Sequence, residues 1–287
     1  MNQRALSVIW RLLKRVYYSR LLPSQIRYLL TKIDSLLRIS PAARLGNLGE
    51  RLVILDWNDA ICSTDFFVQA SVHRYKWAYR LLSNKLVSNN FLVLDIGCGV
   101  GYGTRFLSDL PNVSRSIGID LSASAVRFAA SHFKSLKTEY VVGDALRLPF
   151  KSNQFDAIVS FEVCEHVRDV EEMLKETGRV LGQGGTFLAS TPNASVSLKA
   201  NPHHLREFYS WEFASVLRSH FRSVEISGQT VRGSDRVKSI DDWLRTVLNA
   251  RMLRQFLVTA ELQRAFCLLT ICREPISNAL KSPIVNG

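Results

Sequence analysis

The sequence predicts an α/β protein built on a doubly wound, mostly parallel sheet of seven strands. Three observations point there. Short apolar runs suited to buried strands alternate with stretches whose apolar residues recur at helical spacing. A glycine-rich loop, "DIGCGVGYG" from Asp95 to Gly103, comes directly after the first of those runs. Acids then stand at or just past the ends of successive strands (Asp95, Asp120, Asp144), where open parallel sheets bind their ligands.

The opening "RALSVIWRLLKRVYYSRLL" reads as an amphipathic helix, with Leu6, Ile9, Trp10, Leu13, Val16 and Tyr17 on one face and Arg4, Arg11 and Arg15 opposite. Its longest apolar run is too short for a secretory signal. No acid precedes Asp34, so a targeting segment stays open beside docking on the core and lying on a membrane surface. Pro41 and "LGNLGE" read as linker, making residues 1–60 a basic helical extension. A helix then runs from about Phe67 to Leu82. Strands are expected at "FLVLDI", "SIGID", "EYVVGD", "FDAIVSF" and "GTFLAST", with helices at "SASAVRFAASHF" and "DVEEMLKETGRVL". Beyond them come a helix at "SWEFASVLRSHF" and strands at "SVEISGQ" and "FCLLTICRE". The helical, basic "IDDWLRTVLNARMLRQFLVTAEL" between these two strands makes 230–264 an insert in a domain of residues 61–275, and 276–287 a tail.

Length and charge narrow the function. At 287 residues and 47% apolar content the chain buries a sizeable core. No apolar run reaches the roughly 18 residues of a membrane span. The net charge of +12 is unevenly placed: residues 1–49 carry nine Lys/Arg against Asp34 alone, 50–228 carry nineteen of each sign, and 229–287 carry nine basic against five acidic. Basic flanks on a neutral domain suit an anionic surface, with peripheral membrane contact ahead of nucleic acid. Cys62, Cys98, Cys164, Cys267 and Cys272 form no C-x-x-C pair, which excludes a zinc ribbon or thioredoxin site. Their odd number suits reduced thiols and a cytoplasmic setting.

A dinucleotide fold needs G-x-G-x-x-G after its first strand, so that a pyrophosphate meets a helix N-terminus. Starting from Gly97 and Gly99 the third position is Tyr102, and starting from Gly99 and Gly101 it is Thr104. Both registers fail by one residue, which leaves a nicotinamide dehydrogenase as the weakest reading. Asp95 stands before Gly97, Gly99 and Gly101, and "SIGID", "VVGDALRLPF" and "FDAIVSF" come after them in that order. With these motifs the stretch from about Phe67 to Gln229 resembles the class I S-adenosylmethionine-dependent methyltransferases, a Rossmann-like fold. The resemblance implies that the glycines let the backbone approach S-adenosylmethionine and that Asp95 sits near its ammonium. It implies Asp120 for the ribose hydroxyls with Leu121 beside it, Asp144 for the adenine amine with Ala145 beside it, and Phe161 near the methionine part. A carboxylate suits two hydroxyls because it accepts more than one hydrogen bond at once.

Two clusters lie where such a fold receives its acceptor, "FEVCEHV" with Glu162, Glu165 and His166, and "NPHHLREFYSWEF" with His203, His204, Glu207 and Tyr209. The E-x-x-E-H letters resemble the metal motif of quinone-biosynthesis O-methyltransferases and of small-RNA 2′-O-methyltransferases. That implies a divalent cation at Glu162, Glu165, His166 and His204, the second reading behind His166, His204 and Glu162 as catalytic groups without metal. A plainer alternative has "EHV" beginning the next helix, with Glu165 favourable near its N-terminus. The Asn/Asp-Pro-Pro-aromatic motif of the base-amine branch is replaced by Ser160-Phe161-Glu162-Val163. The expected activity is therefore O-methylation of a small-molecule, glycan or lipid-linked acceptor. Terminal 2′-O-methylation of RNA and a non-catalytic S-adenosylmethionine-binding regulator are its rivals.

Overall fold

In a computed structural model of the chain, residues 66–84, 90–197, 201, 203–229, 238–239 and 265–276 are described. They belong to a compact unit spanning Glu50–Gly287. The expected extension and linker (1–60), the helical insert apart from 238–239, and the tail beyond Ile276 lie outside the described residues.

All seven expected strands form: β1 (Phe91–Ile96), β2 (Val113–Asp120), β3 (Thr138–Val142), β4 (Phe155–Phe161), β5 (Leu181–Pro192), β6 (Phe221–Gln229) and, last in the chain, β8 (Cys267–Pro275). A two-residue β7 (Lys238–Ser239) adds an eighth at one edge, and the order is β3-β2-β1-β4-β5-β8-β6-β7. Strands β1 to β5 pair in parallel, while β8 runs antiparallel between β5 and β6. Strand order reverses between β1 and β4, which opens a crevice at their carboxyl ends. Central strands β1 and β4 are covered on both faces and accordingly read as almost unbroken apolar runs. Edge strand β3 leaves Val142 about half exposed.

The helices are α1 (Phe66–Ser83), α2 (Tyr102–Leu107), α3 (Ala123–His132), α4 (Val170–Val180) and α5 (Ser210–Arg218). Ser122 caps α3 by accepting from the Ala125 N–H at 3.3 Å, and Asp169 caps α4 by accepting from Glu172 N–H at 3.0 Å. Helix α4 turns Met173, Leu174 and Thr177 inward at helical spacing, into a core shared with Ile158, Phe187, Phe213 and Phe221. The "EHV" alternative is corrected. Cys164–His166 forms one 3₁₀ turn, Val167 is extended, and α4 begins only after Asp169. Glu165 is therefore not at an α-helix N-terminus. No helix among the described residues is long and apolar enough to cross a membrane.

Candidate functional site

The glycine loop closes over the end of β1. Asp95 is fully buried there; Thr104 Oγ1 donates to its Oδ2 at 2.7 Å and Tyr75 Oη donates to both carboxylate oxygens at 3.2 Å. Burial raises the Asp95 pKa to about 7; the hydrogen bonds from Thr104 and Tyr75 oppose the rise, and nearby Asp120 adds to it. At the end of β2, Asp120 fastens the loop. Its Oδ2 accepts from the Gly99 N–H at 2.9 Å and its Oδ1 from the Ser122 N–H at 2.8 Å. One carboxylate thus ties the glycine loop to the start of α3.

Beyond Asp120 two large apolar side chains are exposed. Leu121 is 71% exposed and Val142, the register partner of Asp120 on β3, is 51% exposed. Asp144 is exposed beside half-buried Ala145, and its Oδ1 accepts from the Leu146 N–H at 2.9 Å, which orients the carboxylate in a tight turn. Two outward apolar side chains between two acids suit a flat heterocycle carrying hydroxyl and amine donors. Phe161, at the end of β4, meets Tyr75 edge-on at 5.1 Å and lies 6.3 Å from the Trp77 ring. It is 8% exposed, so helix α1 covers it.

Residues 94–189 match the protein family described as a methyltransferase domain. A protein of Mycolicibacterium smegmatis named as an S-adenosylmethionine-dependent methyltransferase is 31% identical over 157 residues, covering 53% of this chain and 59% of that protein. Residues 94–189 form a class I methyltransferase domain. The mitochondrial ubiquinone biosynthesis O-methyltransferase of Candida albicans is 30% identical over 172 residues, covering 58% of this chain and 49% of that one. The chain thus spans about half the length of these curated relatives. A chain from the complex between the Haloferax volcanii Trm112 methyltransferase activator and a methyltransferase shares the fold, with a TM-score of 0.51 at 21% identity over 71% of this chain and 98% of that one.

The glycines of the methyltransferase domain test whether S-adenosylmethionine fits. A Cβ on Gly97 would overlap the Val163 side chain, and one on Gly101 would lie 2.5 Å from Ala129 Cβ and 2.7 Å from Tyr140. These two glycines answer to the protein's own packing. A Cβ on Gly99 would meet nothing within 4 Å, so only there does the loop leave open space for a ligand to approach its backbone. The residues fit the cofactor. Gly101→Ala is expected to cost about 2–4 kcal/mol of stability, from overpacking and the left-handed φ of 91°. Gly99→Ala should cost only about 1 kcal/mol for its φ but lower S-adenosylmethionine affinity more than tenfold. Denaturant melts and calorimetry on both variants check this.

Sequence reasoning missed what faces the loop from α1. Arg74 is buried, its Nη1 donates to Gln229 Oε1 at 3.1 Å, and its Nε is buried without a hydrogen-bond partner. Burial works against its charge, but Glu162 and Cys267 outweigh it and hold the guanidinium above its ordinary pKa. A buried guanidinium with an unmet N–H suits a carboxylate. The signal was an arginine lying in register with Ala70, Ala78 and Leu82 on a helix's apolar stripe. Glu162 is half-buried with a left-handed φ of 57°, strain of the kind that gathers at working sites. Ser190 Oγ donates to its Oε1 at 2.8 Å and Cys267 Sγ at 3.2 Å.

The histidine clusters do come together. Ligand atoms of Glu165, His166 and His204 lie within 4.8 Å of one another. Glu162, the fourth residue of the expected cation set, is not part of that group; its Oε1 accepts from Ser190 and Cys267. Glu165 is fully buried, its Oε2 accepting from Thr191 Oγ1 at 3.1 Å while Oε1 has no hydrogen-bond partner. Burial, then the Glu162 charge, lifts its carboxyl well above the usual range. His166 Nδ1 donates to the His203 carbonyl at 3.0 Å, leaving Nε2 3.9 Å from Glu165 Oε1. The Asn201 amide donates to His204 Nε2 at 2.9 Å, so His204 Nδ1 carries the proton it donates to Glu207 Oε1 at 2.7 Å.

Proposed function

We propose that the domain transfers the methyl group of S-adenosylmethionine to an oxygen of a small-molecule, glycan or lipid-linked acceptor. The observation that carries this reading is His204 held by buried Glu207, on the loop that packs against the β4 end of the cofactor crevice. S-adenosylmethionine supplies, when bound, an activated methyl group on sulfur. Asp120 and Asp144 orient its sugar and base, and Arg74 and Asp95 take the charged ends of its amino acid. Helix α1 covers the crevice with Tyr75 and Trp77 and excludes water. His204 Nε2, freed from Asn201, takes the acceptor's hydroxyl proton, and Glu207 holds the resulting imidazolium. The Candida albicans relative, named as an O-methyltransferase of ubiquinone biosynthesis, supports oxygen as the acceptor atom.

The unpaired buried oxygen of Glu165 favours a second reading, a divalent cation held by Glu165, His166 and His204. Such an ion would supply Lewis-acid activation of the hydroxyl. Incubation with labelled methyl donor and fractionated extract tests both. Label is expected in a lipid or small-solute fraction, and His204→Ala should slow transfer by about 10²–10⁴-fold. Label confined to RNA would establish the nucleic-acid rival, and tight donor binding without label the regulator. Activity lost to chelator and restored by magnesium or manganese would replace the base by the cation.

A further inference from the structure

Helix α5 buries Phe213, Ala214 and Leu217 and leaves Trp211 of its first turn exposed. On that turn and the loop before it, Leu205 is 58% exposed, Tyr209 39% and Trp211 68%. Large apolar side chains scattered singly over a surface are ordinary, but here three fall within seven residues. The Tyr209 and Trp211 rings lie nearly parallel, centroids 6.4 Å apart, as a flat aromatic ledge. The ledge is held firmly beside the acceptor cluster. The N–H groups of Leu205 and Arg206 donate to the Glu165 carbonyl at 2.8 and 3.3 Å, and His166 Nδ1 grips the His203 carbonyl.

The acids nearest the ledge in sequence are less exposed than Arg206. The Glu207 side chain is 6% exposed against His204, and Glu212, 24% exposed, accepts from the Tyr209 N–H at 3.0 Å. The Arg206 side chain is 55% exposed, its guanidinium 4.7 Å above the Phe208 ring and 3.9 Å from Glu212 Oε1, and Arg168 is exposed, next to exposed Asp169, on the segment just past the His166 turn. Trp and Tyr favour the boundary between lipid headgroups and acyl chains, Leu reaches below it, and arginine pairs with anionic headgroups. We propose that the Leu205–Tyr209–Trp211 ledge seats the protein on an anionic lipid surface, so that the Glu165–His166–His204 cluster meets its acceptor at the bilayer. This rests on the lipid-linked acceptor class and extends it, because the substrate arrives from the membrane rather than from water.

The test uses the full chain and vesicles of phosphatidylcholine with about a third phosphatidylglycerol, with and without brominated acyl chains. Brominated lipid should quench part of the tryptophan emission, and that part should vanish in Trp211→Phe, which separates this surface from the other four tryptophans. Leu205→Ser/Trp211→Ser should need at least tenfold more lipid for half-maximal co-sedimentation while S-adenosylmethionine affinity, measured separately, stays the same. Quenching that survives Trp211→Phe unchanged, or equal vesicle binding by the double variant, overturns the proposal. So does a dimer in sedimentation velocity that the double variant abolishes without any vesicle binding, since the ledge would then cover a second copy. Donor affinity and label transfer are read independently, so failure of the methyl-transfer reading would be seen there and not in vesicle binding.

Discussion

Asp120→Ala is expected to lower S-adenosylmethionine affinity by about a hundredfold or more and to destabilise the fold by about 2–4 kcal/mol. Both oxygens of this nearly buried carboxylate already accept backbone N–H groups, from Gly99 and Ser122. Each oxygen of an ionised carboxylate can accept more than one hydrogen bond, and the two backbone bonds fix the plane in which the ribose hydroxyls would meet it. Alanine removes the acceptor and also releases the glycine loop that shapes the crevice. Asp120→Asn should be little better, since whichever oxygen becomes an NH₂ group faces a backbone N–H. Calorimetry of donor binding and denaturant melts read the two effects separately. Donor affinity within threefold of the original protein would remove Asp120 from the cofactor site.

Asp95→Asn is expected to make stability less dependent on pH between about 4 and 8. The folded pKa of Asp95 is raised from 3.8 to about 7, so the folded protein keeps this proton to higher pH than the unfolded chain does. The cost of burying the charge is absent below pH 3.8, grows between 3.8 and 7, and is complete above 7, reaching about 4 kcal/mol. Asparagine carries no such cost, so the variant should gain on the original protein as pH rises, less about 1 kcal/mol for whichever of Thr104 and Tyr75 loses its acceptor. A cationic amino acid beside Asp95 favours its ionised form, so binding S-adenosylmethionine at pH 7 should release up to half a proton. Calorimetry in buffers of different ionisation enthalpy reads that release. Asp95→Asn should abolish it and weaken binding at least tenfold. Identical pH–stability curves for the two proteins would mean that Asp95 is ionised throughout.

Much of the site was legible because its chemistry is written along the strand ends. A strand covered on both faces is apolar almost throughout, so an acid near its end stands out: Asp95 is next to last in β1 and Asp120 closes β2. The missed residues are those whose meaning depends on long-range packing. Arg74 sits 155 positions from its partner Gln229, and Cys267 105 positions from Glu162. Neither pairing leaves a local pattern.

The sequence by itself determined the seven strands, their alternation with helices and the class of loop, because burial periodicity and glycine spacing are local properties. It did not separate the glycines by role. Only the tertiary structure decided that Gly97 and Gly101 clear the way for Val163, Ala129 and Tyr140 while Gly99 faces open space. It also decided which acids join the histidines. E-x-x-E-H puts Glu162 and Glu165 three residues apart, but the left-handed backbone at Glu162 and the 3₁₀ turn after it send the two carboxylates to different neighbours. Glu162 goes to Ser190 and Cys267, and Glu165 to Thr191 beneath His166. The direction of a side chain at a strand's end is set by the dihedral angles of a turn and by what packs against it, and neither can be read from the letters alone.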